Sequence, residues 1–179
     1  MAERLKKYCW VPAVFLLAAC GQKQQAAAEH PSVSAASVTP TTQAGPGTLG
    51  ALDPCALLSP MDRSTAGVSV IGKPKTIADA RACDWTVPGT FGVTVTLDDE
   101  SGLADLEVAK KTATRTKVGA HPALQVADKK AADGTCAVLL GVGDSASVQI
   151  DVSNTNFSDT SLACRRAGTV AGLVEPKLP

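Results

Sequence analysis

Cys20 stands directly after Leu17-Ala18-Ala19 and directly before a polar run, a placement that gives its thiol a different chemistry from the cysteines further on. Upstream lie Arg4, Lys6 and Lys7, then an apolar stretch from Tyr8 to Ala19 ending in small residues, the layout of a secretory signal peptide. That stretch is 12 residues long. A spanning helix needs about 20 apolar residues, so cleavage is expected rather than spanning. With cysteine at the cut, the segment looks like a bacterial lipobox: Cys20 Sγ takes a diacylglyceryl group and residues 1–19 are removed. Long acyl chains such as palmitate contribute about 0.8 kcal/mol per buried methylene, and two of them anchor a protein stably. The expectation is a lipoprotein held to the cell membrane through the lipid on Cys20, on the extracytoplasmic face.

Four further cysteines, Cys55, Cys83, Cys136 and Cys164, form an even set in a chain addressed to an oxidising compartment, which favours disulfides. Four cysteines allow three connectivities. Cys55 and Cys83 are 28 residues apart, and so are Cys136 and Cys164. Pairing neighbours in sequence closes two similar loops, each contributing about 3–4 kcal/mol in the chain-entropy view, and Cys55–Cys83 with Cys136–Cys164 is the expected set. Structural zinc prefers short cysteine spacings, which are absent here, and no histidine joins the four, so no metal is expected.

Other chemistry-bearing types occur but lack the pattern their chemistry needs. His121, Asp128 and Ser145 follow the chain order of a chymotrypsin-like triad, and Gly143-Asp144-Ser145 echoes a nucleophile loop. Ala146 and Ser147 stand where glycines should follow, and Asp-Ser in a hairpin is ordinary turn chemistry. His121 is the only histidine after His30, precedes Pro122, and reads as structural. Asp98, Asp99 and Glu100 present calcium-type oxygens without the alternating ligand spacing of an EF-hand, so they read as a solvated turn. Gly141-Val142-Gly143 is too short for a nucleotide fingerprint. Trp85 and Phe91 lie on the apolar side of alternating strands and read as core rather than pocket lining. No cofactor and no catalytic residue is expected.

The elements that must position these residues follow from pattern. The chain has 17 basic and 17 acidic residues; losing residues 1–19 leaves 14 and 16, with few aromatics. No concentrated basic face or stacking platform supports nucleic-acid binding. Residues 20–52 are rich in Ala, Gln, Ser, Thr, Pro and Gly without apolar periodicity and read as a disordered tether with a reach of about 30 Å. Residues 53–179 suit a single domain. Asp53-Pro54 and Ser59-Pro60 are successive helix starts, the second with Asp62 in a capping arrangement. "KPKTI" suits a loop or edge strand, and Cys83-Trp85-Val87 and Phe91-Val93-Val95-Leu97 alternate as a hairpin about "VPGT". "GLADLEVAKKTATRTK" places Leu103 and Leu106 at helical spacing and predicts a helix. "GAHPALQVAD", "TCAVLLGVG" and "ASVQIDVS" predict three strands. "DTSLACRRAGTVAGLV" predicts a final helix capped by Ser158 or Asp159 and stopped at Pro176. Helices on a mostly antiparallel sheet, stapled by two disulfides, define an α+β fold.

Five motifs in order, "DPCALLSP", "ACDWTVPG", "GAHPAL", "CAVLLGV" and "ACRRAGTVAGLVEPKLP", resemble the actinobacterial lipoproteins of the domain of unknown function thirty-five fifty-eight. The resemblance spans the whole domain and includes the lipobox and tether. It implies a fold similar to the PsbP and Mog1 type and a secreted, lipid-anchored domain. It supplies no catalytic residues. Asp84 departs from the basic residue common between that cysteine and tryptophan, which argues against an anionic ligand at this position. The expectation for function is a non-enzymatic module that binds a small hydrophobic ligand or an envelope protein in a groove between sheet and helix. The alternatives are an envelope enzyme, marked by a cleft with convergent ionisable groups, and an accessory or inhibitory subunit, marked by an exposed apolar patch.

Overall fold

The computed structural model describes residues 48–179. Cys20, the signal segment 1–19 and all but the last residues of the expected tether lie outside them. Two short 3-10 turns, Leu49–Ala51 and Pro54–Leu57, lead into helix α1, Pro60–Ala66. Asp53 accepts from the Cys55 amide, and Ser59 and Asp62 form the expected reciprocal capping box. Leu49, assigned to the tether by composition, is buried with Leu57 and Leu58 in the core.

Seven strands follow: β1 Lys73–Ile77, β2 Ala80–Val87, β3 Phe91–Asp98, β4 Ala113–Val118, β5 His121–Val126, β6 Thr135–Val142 and β7 Ala146–Asn154. They make one sheet in the order β1-β2-β3-β7-β6-β5-β4, with every neighbouring pair antiparallel. Helix α2, Thr160–Val174, starts at Asp159, whose carboxylate accepts from the Leu162 amide, and passes into a 3-10 turn at Glu175–Lys177 that contains Pro176. The structure is thus a mostly antiparallel α+β domain with two α-helices.

The helix expected over "GLADLEVAKKTATRTK" is not formed. Residues 99–112 cross from β3 to the far sheet edge in turns, and "ATRTKV" becomes β4. Two causes are visible. Thr114 and Thr116 favour the extended backbone, and with β4 starting at Ala113 the segment keeps residues 102–112, a short stretch with neither a continuous apolar stripe nor the capping box that supports α1. The two leucines also dock separately, Leu103 over Gly141 and Pro122, and Leu106 beside Thr96, Ser147 and Gln149.

The core lies on one face of the sheet. Val93, Val95 and Leu97 of β3, Val148, Ile150 and Val152 of β7, and Val138 and Leu140 of β6 point there, and α2 covers them with Ala163, Ala167, Val170, Ala171 and Val174. Three of those five helix contacts are alanine, so the helix approaches the sheet closely along its buried face. The disulfides Cys55–Cys83 and Cys136–Cys164 tie the N-terminal turn to β2 and α2 to β6. Trp85 is fully buried and Phe91 nearly so, and the Arg166 guanidinium lies 3.9 Å above the Phe91 ring. A Cβ on Gly72 would fall 2.5 Å from Cys83 Sγ and 2.7 Å from the Trp85 ring, so glycine is required where that loop seals the indole.

Candidate functional site

The alternation that buries one face of the central strands sends their polar partners to the other. The registers align these partners into a row across the sheet: Lys73, Asp84, Thr94, Asp151, Ala137, Val126 and Ala113. The next row carries Thr86, Gly92, Ser153 and Thr135. The crossing segment covers this face near the β6–β7 turn and leaves a basin of about 470 Å³ toward the opposite end. Asp84, Asp128, Asp133 and Asp151 line it, with Thr94 and Thr135 among its hydroxyls and Val126 and Ala137 on an aliphatic floor.

Three of the four carboxylates are fixed by donors of the fold. Thr94 Oγ1 and Thr86 Oγ1 donate to Asp84 at 2.9 and 3.0 Å. The Thr135 hydroxyl and amide donate to Asp133 Oδ1 at 2.8 and 3.0 Å, and the hydroxyl foremost holds Asp133 below its usual range. The amides of Lys130 and Ala131 donate to Asp128 Oδ1. Asp151 differs: among the described residues it accepts one hydrogen bond, from Gln149 Nε2 at 2.8 Å, and burial pushes its carboxyl above 3.8. The basin therefore offers oriented, negatively charged acceptors over an aliphatic floor, complementary to a cationic group that donates hydrogen bonds.

Of the residues singled out in the sequence, Asp84, Asp128 and the disulfide-bonded Cys136 line the basin and the others fall elsewhere. His121 lies at the start of β5, where Nδ1 contacts Glu175 Oε1 at 3.0 Å and Nε2 contacts the Pro179 carbonyl oxygen at 3.2 Å. The Ala120 amide also donates to Glu175 and, with His121, holds that carboxyl below its usual range. His121 thus fastens the chain after α2. Asp128 is engaged in its own loop, and Ser145 is exposed in the β6–β7 turn, so no triad assembles. Asp98 Oδ1 accepts from the Glu100 and Ser101 amides, and Asp99 pairs with Arg81 at 2.7 Å. The core fills the centre of the space between sheet and helix, a hollow remains there at the start of α2 beside Gln125, and the basin lies on the other face.

Asp151, Asp133 and Thr94 escaped sequence reasoning as site residues, and Asp84 entered only as a departure from the family pattern. The available signal was the charged residue at a polar position of "ASVQIDVS", opposite Val148, Ile150 and Val152. What one sequence lacks is register, which alone sets Asp84 and Asp151 on either side of Thr94. Comparison with the curated proteins and with the solved structures finds no match. A family model described as "Protein of unknown function (DUF3558)" matches residues 15–177, most of the chain, and this protein belongs to that family.

Proposed function

We propose that this chain is a non-enzymatic binding module, anchored through lipid on Cys20 to the extracytoplasmic face of the cell membrane, with a fold related to the PsbP and Mog1 type. Its ligand is a small envelope molecule, or the segment of an envelope protein, that presents an amine or guanidinium to the basin. The observation that carries this reading is the set of four carboxylates converging on one concave face, three of them oriented by hydroxyl or amide donors. The signal-like segment, Leu17-Ala18-Ala19-Cys20 and two disulfides support the location. Val126 and Ala137 give the ligand an apolar side to rest on, so it is amphipathic rather than wholly hydrophobic.

The test is the native mass of the full mature chain released gently from its membrane, compared with its denatured mass. An additional mass lost on denaturation, and absent from the Asp84→Asn/Asp151→Asn variant, supports the reading. A mass retained by that variant, or none in either, sinks it. Replacing Cys20 by alanine should release the protein from the membrane fraction; retention there would refute the anchor.

A second reading rests on one further observation. Asp84 and Asp151 flank Thr94 in one row, about 10 Å apart at the backbone; Asp84 accepts from two threonine hydroxyls, while Asp151 is buried and its carboxyl raised by that burial. Two carboxylates held in unlike environments suit acid–base catalysis in the envelope. Turnover of an envelope glycan that Asp151→Asn abolishes and Asp128→Asn spares would favour the enzyme.

A further inference from the structure

The two disulfides sit in different surroundings. Each bridge has one enclosed and one half-buried cysteine: Cys83 is fully buried against Trp85 and the Gly72 loop, and its partner Cys55 is half-buried. Cys164 is half-buried and lines a second hollow of about 610 Å³ with Gln125, Lys129, Thr160, Ser161 and Arg165, and with Asp159, whose carboxylate caps α2 through the Leu162 amide. Lys129 and Arg165 are exposed, and neither forms an ion pair among the described residues. Behind Cys164, Cys136 is 3 % exposed, and Gln125 Nε2 donates to its sulfur at 3.7 Å. Cys164 thus lies at a hollow with two exposed cations against one capping carboxylate, while Cys136 is enclosed with a donor aimed at its sulfur.

We propose that Cys136–Cys164 is an exchangeable disulfide and that Cys164 is a site of S-thiolation by small thiols carrying negative charge. The incoming thiolate attacks Cys164 Sγ. A new bond forms between the two sulfurs as the Cys164–Cys136 bond breaks, and the electron pair leaves on Cys136 Sγ, where the Gln125 amide stabilises it until it takes a proton from water. A second thiolate attacks the outer sulfur of the adduct and frees Cys164, so two small thiols are oxidised to their disulfide and one protein disulfide is reduced. Lys129 and Arg165 raise the local concentration of the anionic attacker. Neither the basin nor this hollow is lined by Cys55 or Cys83, and that bridge remains closed.

The full mature chain, incubated without denaturant in glutathione, which is anionic, or cysteamine, which is cationic, is quenched in acid and mapped by mass. The expected result is a mixed disulfide on Cys164 that forms at least about ten-fold faster than any adduct on Cys55 or Cys83. The glutathione rate relative to cysteamine should fall several-fold in the Lys129→Gln/Arg165→Gln variant, whose substitutions are exposed and leave the core intact. Opening of both bridges at one rate, an adduct on Cys136 instead, or a rate ratio unchanged in the variant overturns the proposal.

Discussion

Two aspartates show how the same carboxyl group contributes oppositely to stability. Asp62 is held at about 2, chiefly by the Lys177 ammonium, 2.7 Å away, and then by the Ser59 hydroxyl. A depressed value means that its contribution is complete above 3.8 and is lost as pH falls toward about 2. Asp62→Asn should therefore lower stability by about 1–2 kcal/mol at neutral pH, with the deficit closing in strong acid. Denaturant melts across that range check this. Asp151 has the reverse sign. Burial raises its value above 3.8, so the native state holds the proton more tightly than the unfolded chain, and stability falls as pH rises through the raised value. Asp151→Asn should raise Tm at neutral pH and converge on the parent below about pH 4, where both side chains are uncharged. Calorimetry that found the variant less stable at neutral pH would show that the charged carboxylate is satisfied by the fold alone.

At the scale of elements, helix α2 and the Gly72 loop make opposed predictions for the same substitution. Gly168 is an exposed position of α2 where a Cβ meets nothing within 4 Å, so Gly168→Ala should stabilise by about 0.5–1 kcal/mol. At Gly72 the added methyl enters Cys83 Sγ and the Trp85 ring, so Gly72→Ala should destabilise by about 1–3 kcal/mol. Urea midpoints measured side by side check the pair. Most strands, α2 and both caps near Ser59 and Asp53 were legible because each rests on local chemistry: alternation, a side-chain acceptor, a proline at a helix start. The segment 99–112 was not, because Leu103 and Leu106 satisfy a helical spacing while the sheet draws them to separate strands. The basin was illegible for a related reason. Alternation reveals that Asp151 faces away from the core, but its neighbours on β3 and β6 depend on an order in which β7 inserts between them.

For the molecule as a whole, the disulfides join the N-terminal turn and α2 to the sheet that both cover. Removing Cys136–Cys164 by paired serine substitutions should lower stability by about 3–4 kcal/mol, seen as an earlier denaturant midpoint, with α2 retaining its alanine contacts. Equal spacing along the chain made both pairings legible, because a loop of 28 residues returns each cysteine from its partner's element to the neighbouring layer. The bridge near the start of the described chain has a mechanical meaning as well. Arg81 grips the carbonyl oxygens of Leu49 and Leu52, and the chain then reaches Cys55, bonded to Cys83, the residue immediately before Asp84 of the basin. A pull arriving from the N-terminal side passes through one covalent bridge to the edge of the binding face. The stretch between Cys55 and Cys83 carries none of that tension and cannot pay out under load while the bridge is closed.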